Sequence, residues 1–388
     1  MLARKTRIVA ALIVLFATFT QPLTPAVAKE VAPPRTPNPK IQMAILLDCS
    51  GSMSGLIHQA RTQLWKTVNE FAKATRADRP VQLEVALYEY GSAHYPAEEG
   101  FLKQLVPLTD DLDRVSEALF ALSTSGSQEY CGQVIDAATR HLKWSDNPHD
   151  LKCIFIAGNE PFTQGPVDFR EACRRAIAGD ITVNTIHCGT PAAGISGNWQ
   201  EGAQLADGSF MNIDHNQQVA AIPAPQDKEL ARLNAELNKT YVAYGTPQAR
   251  QVAKDRQEAQ DRNVAAASPA AASERFAFKA KAQYANTGWD MVDACREEKL
   301  KLEDLKEEEL PDEMKKMTLA ERKAYLAAKQ AQRQKIQAEM KRLSDQRDKF
   351  LTAERKKLAN QQGDTLDQAI LHAARHQATR KEFTFGAN

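Results

Sequence analysis

Across 388 residues the chain carries 50 lysines and arginines against 49 aspartates and glutamates, a formal charge of +1. That balance removes any global electrostatic case for nucleic acid or an anionic membrane surface as partner. The length calls for two domains, or one domain with a long extension.

The chain opens on Arg4, Lys5 and Arg7, continues with an apolar stretch from Ile8 to Phe19, and then offers small residues at Ala26, Val27 and Ala28. This layout predicts a signal peptide over 1–28 with cleavage near Ala28. The apolar run is shorter than the roughly 20 residues a spanning helix needs, and no later segment is apolar enough to span a bilayer. The expected product is soluble and exported across an inner membrane, with a bacterial periplasm as the fitting compartment. There Cys49, Cys131, Cys153, Cys173, Cys188 and Cys295 meet conditions in which disulfides persist. No Cys-x-x-Cys pair occurs, which argues against a zinc knuckle or a thioredoxin-type site.

After a linker over 29–40, strands and helices alternate from Ile41 to about Ile213, within a domain set at 41–217. IQMAILLD is apolar throughout, as expected of a strand covered on both faces. Ser54 to Ala74 repeats apolar residues at helical spacing, and VQLEVALYEYG forms the next strand. FLKQLVPL reads as an edge strand because Pro107 lacks a ladder donor. Helices follow at Leu112–Leu122 and Gly132–Leu142, then the strands LKCIFIAG, ITVNTIHCG and SFMNID, with a helix at Phe169–Ala178 between the first two. The rhythm predicts an α/β fold with a doubly wound, mostly parallel six-stranded sheet and right-handed crossovers.

Beyond Pro223-Ala224-Pro225 the strand signals stop. A helical region is expected over 226–295, with helices at Asp227–Asn238 and Gln248–Ala267, a linker at NVAAASPAAASE, and an amphipathic helix from Glu274 to Cys295. Residues 296–362 are expected to form a charged helical hairpin or coiled coil turning at Pro311, and 363–388 a C-terminal helix and tail. Thr318 and Glu321 have the spacing of a capping box, opening a long helix to about Asn360 with Gly363 as its stop. Its thin apolar stripe of Ile336, Met340, Leu343, Phe350 and Leu351 requires a partner. Either the segment 290–310 folds back on it, or a second copy of the chain associates through it. Lys/Arg runs here alternate with Glu and Asp, the pattern of a solvated helix face.

The chemistry concentrates in ILLDCSGSMSG. The first strand delivers Asp48 to the carboxyl edge of the sheet, where ligands of such folds bind. Ser50 and Ser52, at alternate positions, turn their hydroxyls to the same side. A carboxylate with neutral oxygens suits a small hard cation. This segment resembles the von Willebrand factor type A domain, whose metal-ion-dependent adhesion site begins with Asp-x-Ser-x-Ser. The likeness runs from about Ile41 to Ile213: VALYEYGS resembles the family's second strand and IFIAGNEP its fourth.

The resemblance implies Asp48, Ser50 and Ser52 as the first metal loop, Ser127 as a second-loop hydroxyl, and Mg2+ (or Mn2+ or Ca2+) as the ion. It also implies a protein partner that supplies a carboxylate to complete the shell. The family's third loop reads Thr-Asp-Gly; here it is Ala157-Gly158-Asn159, so Glu129 and Glu160 stand as substitute carboxylates. The expected function is cation-dependent protein interaction or adhesion. The alternative is a structural envelope scaffold with a degenerate metal site, acting through its helical tail.

Enzymatic features are weak. GSMSG lacks a serine at the centre of a nucleophile elbow. A hydrolase would need an acid/base pair such as Glu129 with His187. His372 and His376, four apart, lack the glutamate and third ligand of a metalloprotease. Cys173, near a helix start, and Cys188, at a strand end, both belong to the upper edge of the sheet, which makes them a candidate disulfide; Cys131 is placed near the same edge.

Overall fold

The computed structural model describes residues 38–216, 222–358 and 365–385. The expected signal peptide, most of the linker, and the helix stop at Gly363 lie outside them. β1 (Lys40–Asp48) leads into α1 (Ser54–Phe71), and a short hairpin follows, β2 (Ala74–Arg76) and β3 (Arg79–Pro80). Next come β4 (Gln82–Tyr90), β5 (Leu102–Thr109), α2 (Leu112–Ala121), α3 (Cys131–His141), β6 (Leu151–Gly158) and α4 (Phe169–Ala178). β7 (Thr182–Cys188), α5 (Pro191–Ser196), α6 (Trp199–Leu205) and β8 (Phe210–Ile213) complete the α/β part.

The sheet has six strands in the order β5-β4-β1-β6-β7-β8. All neighbours run parallel except β5, which closes one edge antiparallel to β4. Every residue of β6 is buried and all but the first of β1, as the continuous apolar runs require of strands covered on both faces. One face packs on α3, α4 and α6, where Phe162, Phe169 and Trp199 are wholly enclosed. The other packs on α1 and α2, with Trp65 and Phe71 buried.

The second face does not end with those helices. The chain continues through α7 (Asp227–Asn238), α8 (Pro247–Ala267), α9 (Pro269–Lys279), α10 (Met291–Arg296), α11 (Asp312–Lys315) and α12 (Leu319–Leu358). It then returns with α13 (Leu366–Arg380) and β9 (Phe383–Phe385). α9 and α13 both lie on α1, and α13 reaches β6, β7 and β8 as well. Leu366, Ile370 and Leu371 of α13 therefore share one apolar core with Ile45, Leu47 and Ile186 of the sheet. Gln377 fixes the register: its Nε2 donates to Asn184 Oδ1 (2.6 Å), and its Oε1 accepts from Thr182 Oγ1 (3.0 Å). β9 pairs antiparallel with β2, making a second, three-stranded sheet that ties the end of the chain to the end of α1.

Three expectations for the helical region are corrected. NVAAASPAAASE is not a linker: Ser268 caps α9 by accepting from Ala271 N (3.3 Å), with Pro269 in the first turn, where its missing N–H costs nothing. The single helix from Glu274 to Cys295 is instead α9, a turn, and the short α10.

The segment 290–310 does fold back on α12, through α10 and the turn Leu302–Asp304, but not as a second long helix: between α10 and α11 the described helical elements are two 3₁₀ turns, Leu302–Asp304 and Glu307–Glu309. The long helix packs on α7, α9 and α10 within its own chain. Met340, Leu343 and Leu351 are buried there, and the stripe is widened by two arginines. Arg333 donates to Asp290 Oδ2 (2.7 Å) and Asp293 Oδ1 (2.9 Å). Arg347 donates to Asp227 Oδ1 (2.7 Å) and Glu274 Oε1 (2.6 Å).

The capping box is present: Glu321 Oε2 accepts from Thr318 N (2.7 Å), and Thr318 Oγ1 accepts from Glu321 N (3.3 Å). Thr318→Ala should cost about 1 kcal/mol. Urea unfolding would read this as a lower midpoint at unchanged slope, and an unmoved midpoint would mean that packing alone sets the start of α12.

Candidate functional site

β1 pairs with β4 in a register that sets Asp48 opposite Tyr90, at the carboxyl edge of the sheet. Asp48 is fully buried there. Its Oδ1 accepts from Ser50 N (2.7 Å), while Oδ2 is buried without a hydrogen-bond partner. Ser50 is buried and Ser52 exposed, their hydroxyls 3.3 Å apart. The two serines thus step from the carboxylate towards solvent.

A second segment straps this loop down. Ser125 N donates to Cys49 O (2.8 Å), and Gly51 N to Gly126 O (3.1 Å). Arg61 of α1 fixes where that segment leaves α2, by donating to Leu119 O (2.8 Å) and Leu122 O (2.6 Å). Four residues past Ser125 the chain brings Glu129 inward to 2% exposure, with its carboxyl against that of Asp48. Glu129 Oε2 accepts from Glu160 N (3.2 Å), and Glu129 N donates to Gln164 Oε1 (2.9 Å).

Burial raises the Asp48 carboxyl above its ordinary value, against hydrogen bonds from Glu129 and Ser50 that lower it. Burial, and then Asp48 itself, push Glu129 up to about 9. Two carboxyls this close resist ionising together.

Of the other expected site residues, some face solvent and others have partners of their own. Ser127 is exposed, one residue beyond Gly126. Glu160 gives its backbone N–H to Glu129, but its own carboxylate accepts from Gln164 Nε2 (3.4 Å). His187 lies between Asn212 Oδ1 (3.2 Å) and Asn159 O (3.3 Å), and burial lowers its pKa. His372 and His376 are exposed on α13. The Cys173–Cys188 bridge is not formed: both are free thiols, and they belong to cores on opposite faces of the sheet.

Two features escaped the sequence reading. Tyr90 Oη donates to Ala157 O (3.0 Å), tying the second strand to the third loop. Gly91 has φ +76°, and a Cβ there would stand 2.8 Å from Asp48 Oδ1. A glycine directly after a strand that ends beside Asp48 was the available signal.

The family model described as the von Willebrand factor type A domain matches residues 42–208. Those residues are a von Willebrand factor type A domain. Among solved structures, the chain is similar to the conserved hypothetical protein BatB from Bacteroides thetaiotaomicron, at 17% identity over 45% of this chain and 90% of that one, with a TM-score of 0.35. It is similar to the SpRpn10 VWA domain at 18% identity over 47% of this chain and 99% of that one, TM-score 0.34. A third is proximal thread matrix protein 1 from the mussel byssus with a zinc-occupied MIDAS motif, at 12% identity over 46% of this chain and 43% of that one, TM-score 0.35. No curated protein matches the chain.

The A domain's polar atoms at this edge suit a hard cation. They are two carboxylates and two hydroxyls, all oxygen, and Asp48 Oδ2 is an acceptor in want of a donor or an ion. Among the described residues no group of three or more His, Cys, Asp or Glu side chains is placed to hold a metal. A cation here would rest on the carboxylates, serine hydroxyls and water. No helix among the described residues is long and apolar enough to cross a membrane.

Proposed function

We propose that this protein is an exported interaction module of the periplasm. Its A domain takes a protein partner through a divalent cation held by Asp48, Ser50 and Ser52, with Ser127 as a further hydroxyl. Magnesium is the favoured ion, with manganese or calcium as substitutes. The observation that carries this reading is the buried, unpartnered Asp48 Oδ2 beside two serine hydroxyls that lead out to solvent. When bound, the cation supplies a coordination position for an acidic side chain of the partner. The chain's own residues anchor and orient: Asp48 supplies charge, Ser50 and Ser52 neutral oxygens, and the strapped 125–126 segment holds the loop still. The thiols nearest the site, Cys49, Cys131 and Cys188, are buried and pushed up in pKa by that burial, so none serves as a nucleophile.

One observation favours a scaffold as second reading: the sheet and the helical region share a single core, which presents a broad helical surface. A pull-down from envelope extract separates the two. Capture that disappears with a chelator, returns with Mg2+, and fails for Asp48→Ala supports cation-dependent recognition. Capture indifferent to chelator and to that substitution would support the scaffold.

A further inference from the structure

We infer that Glu129 is the second carboxylate of the cation site, taking over from the third-loop aspartate whose position Gly158 occupies. The inference rests on the cation reading above. It begins with Gly158, where a Cβ would stand 2.4 Å from Tyr90 Oη and 3.0 Å from Asp48 Oδ2. Tyr90 cannot yield easily, because its ring is fully buried and its hydroxyl is fixed on Ala157 O at 3.0 Å. A side chain at 158 meets these atoms on this backbone, so a carboxylate does not reach Asp48 from that position.

Space for one exists on the other side. Gly91, at φ +76°, has no Cβ, and one placed there would stand 3.0 Å from Glu129 Cγ. Glu129 passes over this bare backbone from the second loop and meets Asp48. It arrives held: Glu160 N–H donates to its Oε2 (3.2 Å), and its own N–H donates to Gln164 Oε1 (2.9 Å). Glu129 is 2% exposed and among the described residues makes no ion pair, while Asp48 Oδ2 is buried without a hydrogen-bond partner at the same spot. A fully buried pair of acids is costly without a compensating positive charge. A divalent cation supplies that charge to both at once. Gly91, Glu129, Tyr90 and Gly158 thus form one arrangement that moves the second negative charge from the third loop to the second.

The test is Mn2+ titration of the full chain, with free aquo-Mn2+ followed by electron paramagnetic resonance. The wild type should bind one ion, and Glu129→Gln should weaken binding at least tenfold. Gln keeps the shape and removes the charge, so cation-free melting should be unchanged or higher, which a merely structural role for Glu129 would not give. Glu129→Asp, too short by a methylene, should bind with intermediate affinity, and it carries the same test should the Gln variant not fold. Wild-type binding that Glu129→Gln leaves within twofold would overturn the inference while leaving the cation reading in place. A wild type that binds no Mn2+ would overturn both.

Discussion

Replacing Asp261 with alanine should destabilise the protein by about 3–5 kcal/mol, the cost of stripping buried cations of their counterion. Asp261 accepts from Arg275 Nε (2.7 Å) and Lys279 Nζ (2.9 Å), and both cations are completely buried. Asn234 Nδ2 (2.8 Å) and Asn238 Nδ2 (2.9 Å) complete its shell. Arg275 also pairs with Asp113 of α2, and Tyr284 Oη donates to the same carboxylate at 2.6 Å. The network therefore joins α8 and α9 to the A domain. Lys279, pulled down to about 8 by burial, can shed its proton when Asp261 is gone; Arg275 cannot.

The pH dependence follows. Burial acts to raise the Asp261 carboxyl, but Lys279, Arg275 and the two amides override it and hold it well below 3.8. A carboxylate depressed in the folded state adds stability that is present above its unfolded value and lost as pH falls below it. Urea midpoints measured from neutral pH downward should fall more steeply for the wild type than for Asp261→Ala. Parallel acid limbs would show that the ion cluster is not formed.

Ending the chain at residue 358 should abolish native folding of the A domain. The lost segment buries Leu366, Ile370, Leu371 and Phe383 against α1 and the sheet. At about 1.5–3 kcal/mol for each large apolar side chain, this amounts to roughly 6–12 kcal/mol. That is comparable to the whole stability of a typical domain. Polar partners are stranded too: Gln59 Oε1 and Gln63 Oε1 lose the N–H groups of Leu366 and Asp367, and buried Asn184 loses Gln377. The shortened chain should bind a hydrophobic dye and lack a cooperative melting transition. A cooperative transition at the wild-type temperature would mean that α13 adds nothing to the domain it covers.

The sheet was legible because β1 and β6 are uninterrupted apolar runs and because Pro107 marks β5 as an edge. α3, α4 and α7 were placed within a residue or so, since their apolar residues recur at helical spacing. The misplacements have physical causes. Two- and three-residue strands such as β2, β3 and β9 carry no periodicity, and β2 and β9 pair across some 300 residues of chain. Arg333 and Arg347 read as solvent-facing because sequence does not reveal the acids waiting inside. The Ala/Ser/Pro stretch before α9 had the composition of a linker, although Ser268-Pro269 is also a helix start. At the site, Asp48, Ser50 and Ser52 were singled out by their spacing at a strand end together with the family resemblance, and they lie together at the carboxyl edge of the sheet. Gly91 and Tyr90, which decide which carboxylate can approach Asp48, act through close contacts that only folding creates.

The most direct measurement of the central claim is thermal unfolding of the wild-type chain with and without Mg2+. An ion that binds only the folded state adds about 2.7 kcal/mol at a hundred times its Kd. The midpoint should therefore rise with Mg2+, climb further as the ion is increased, and return to its starting value with chelator; Asp48→Asn should melt cooperatively but without response. A wild-type midpoint that neither Mg2+ nor Mn2+ moves at millimolar concentration would contradict the account.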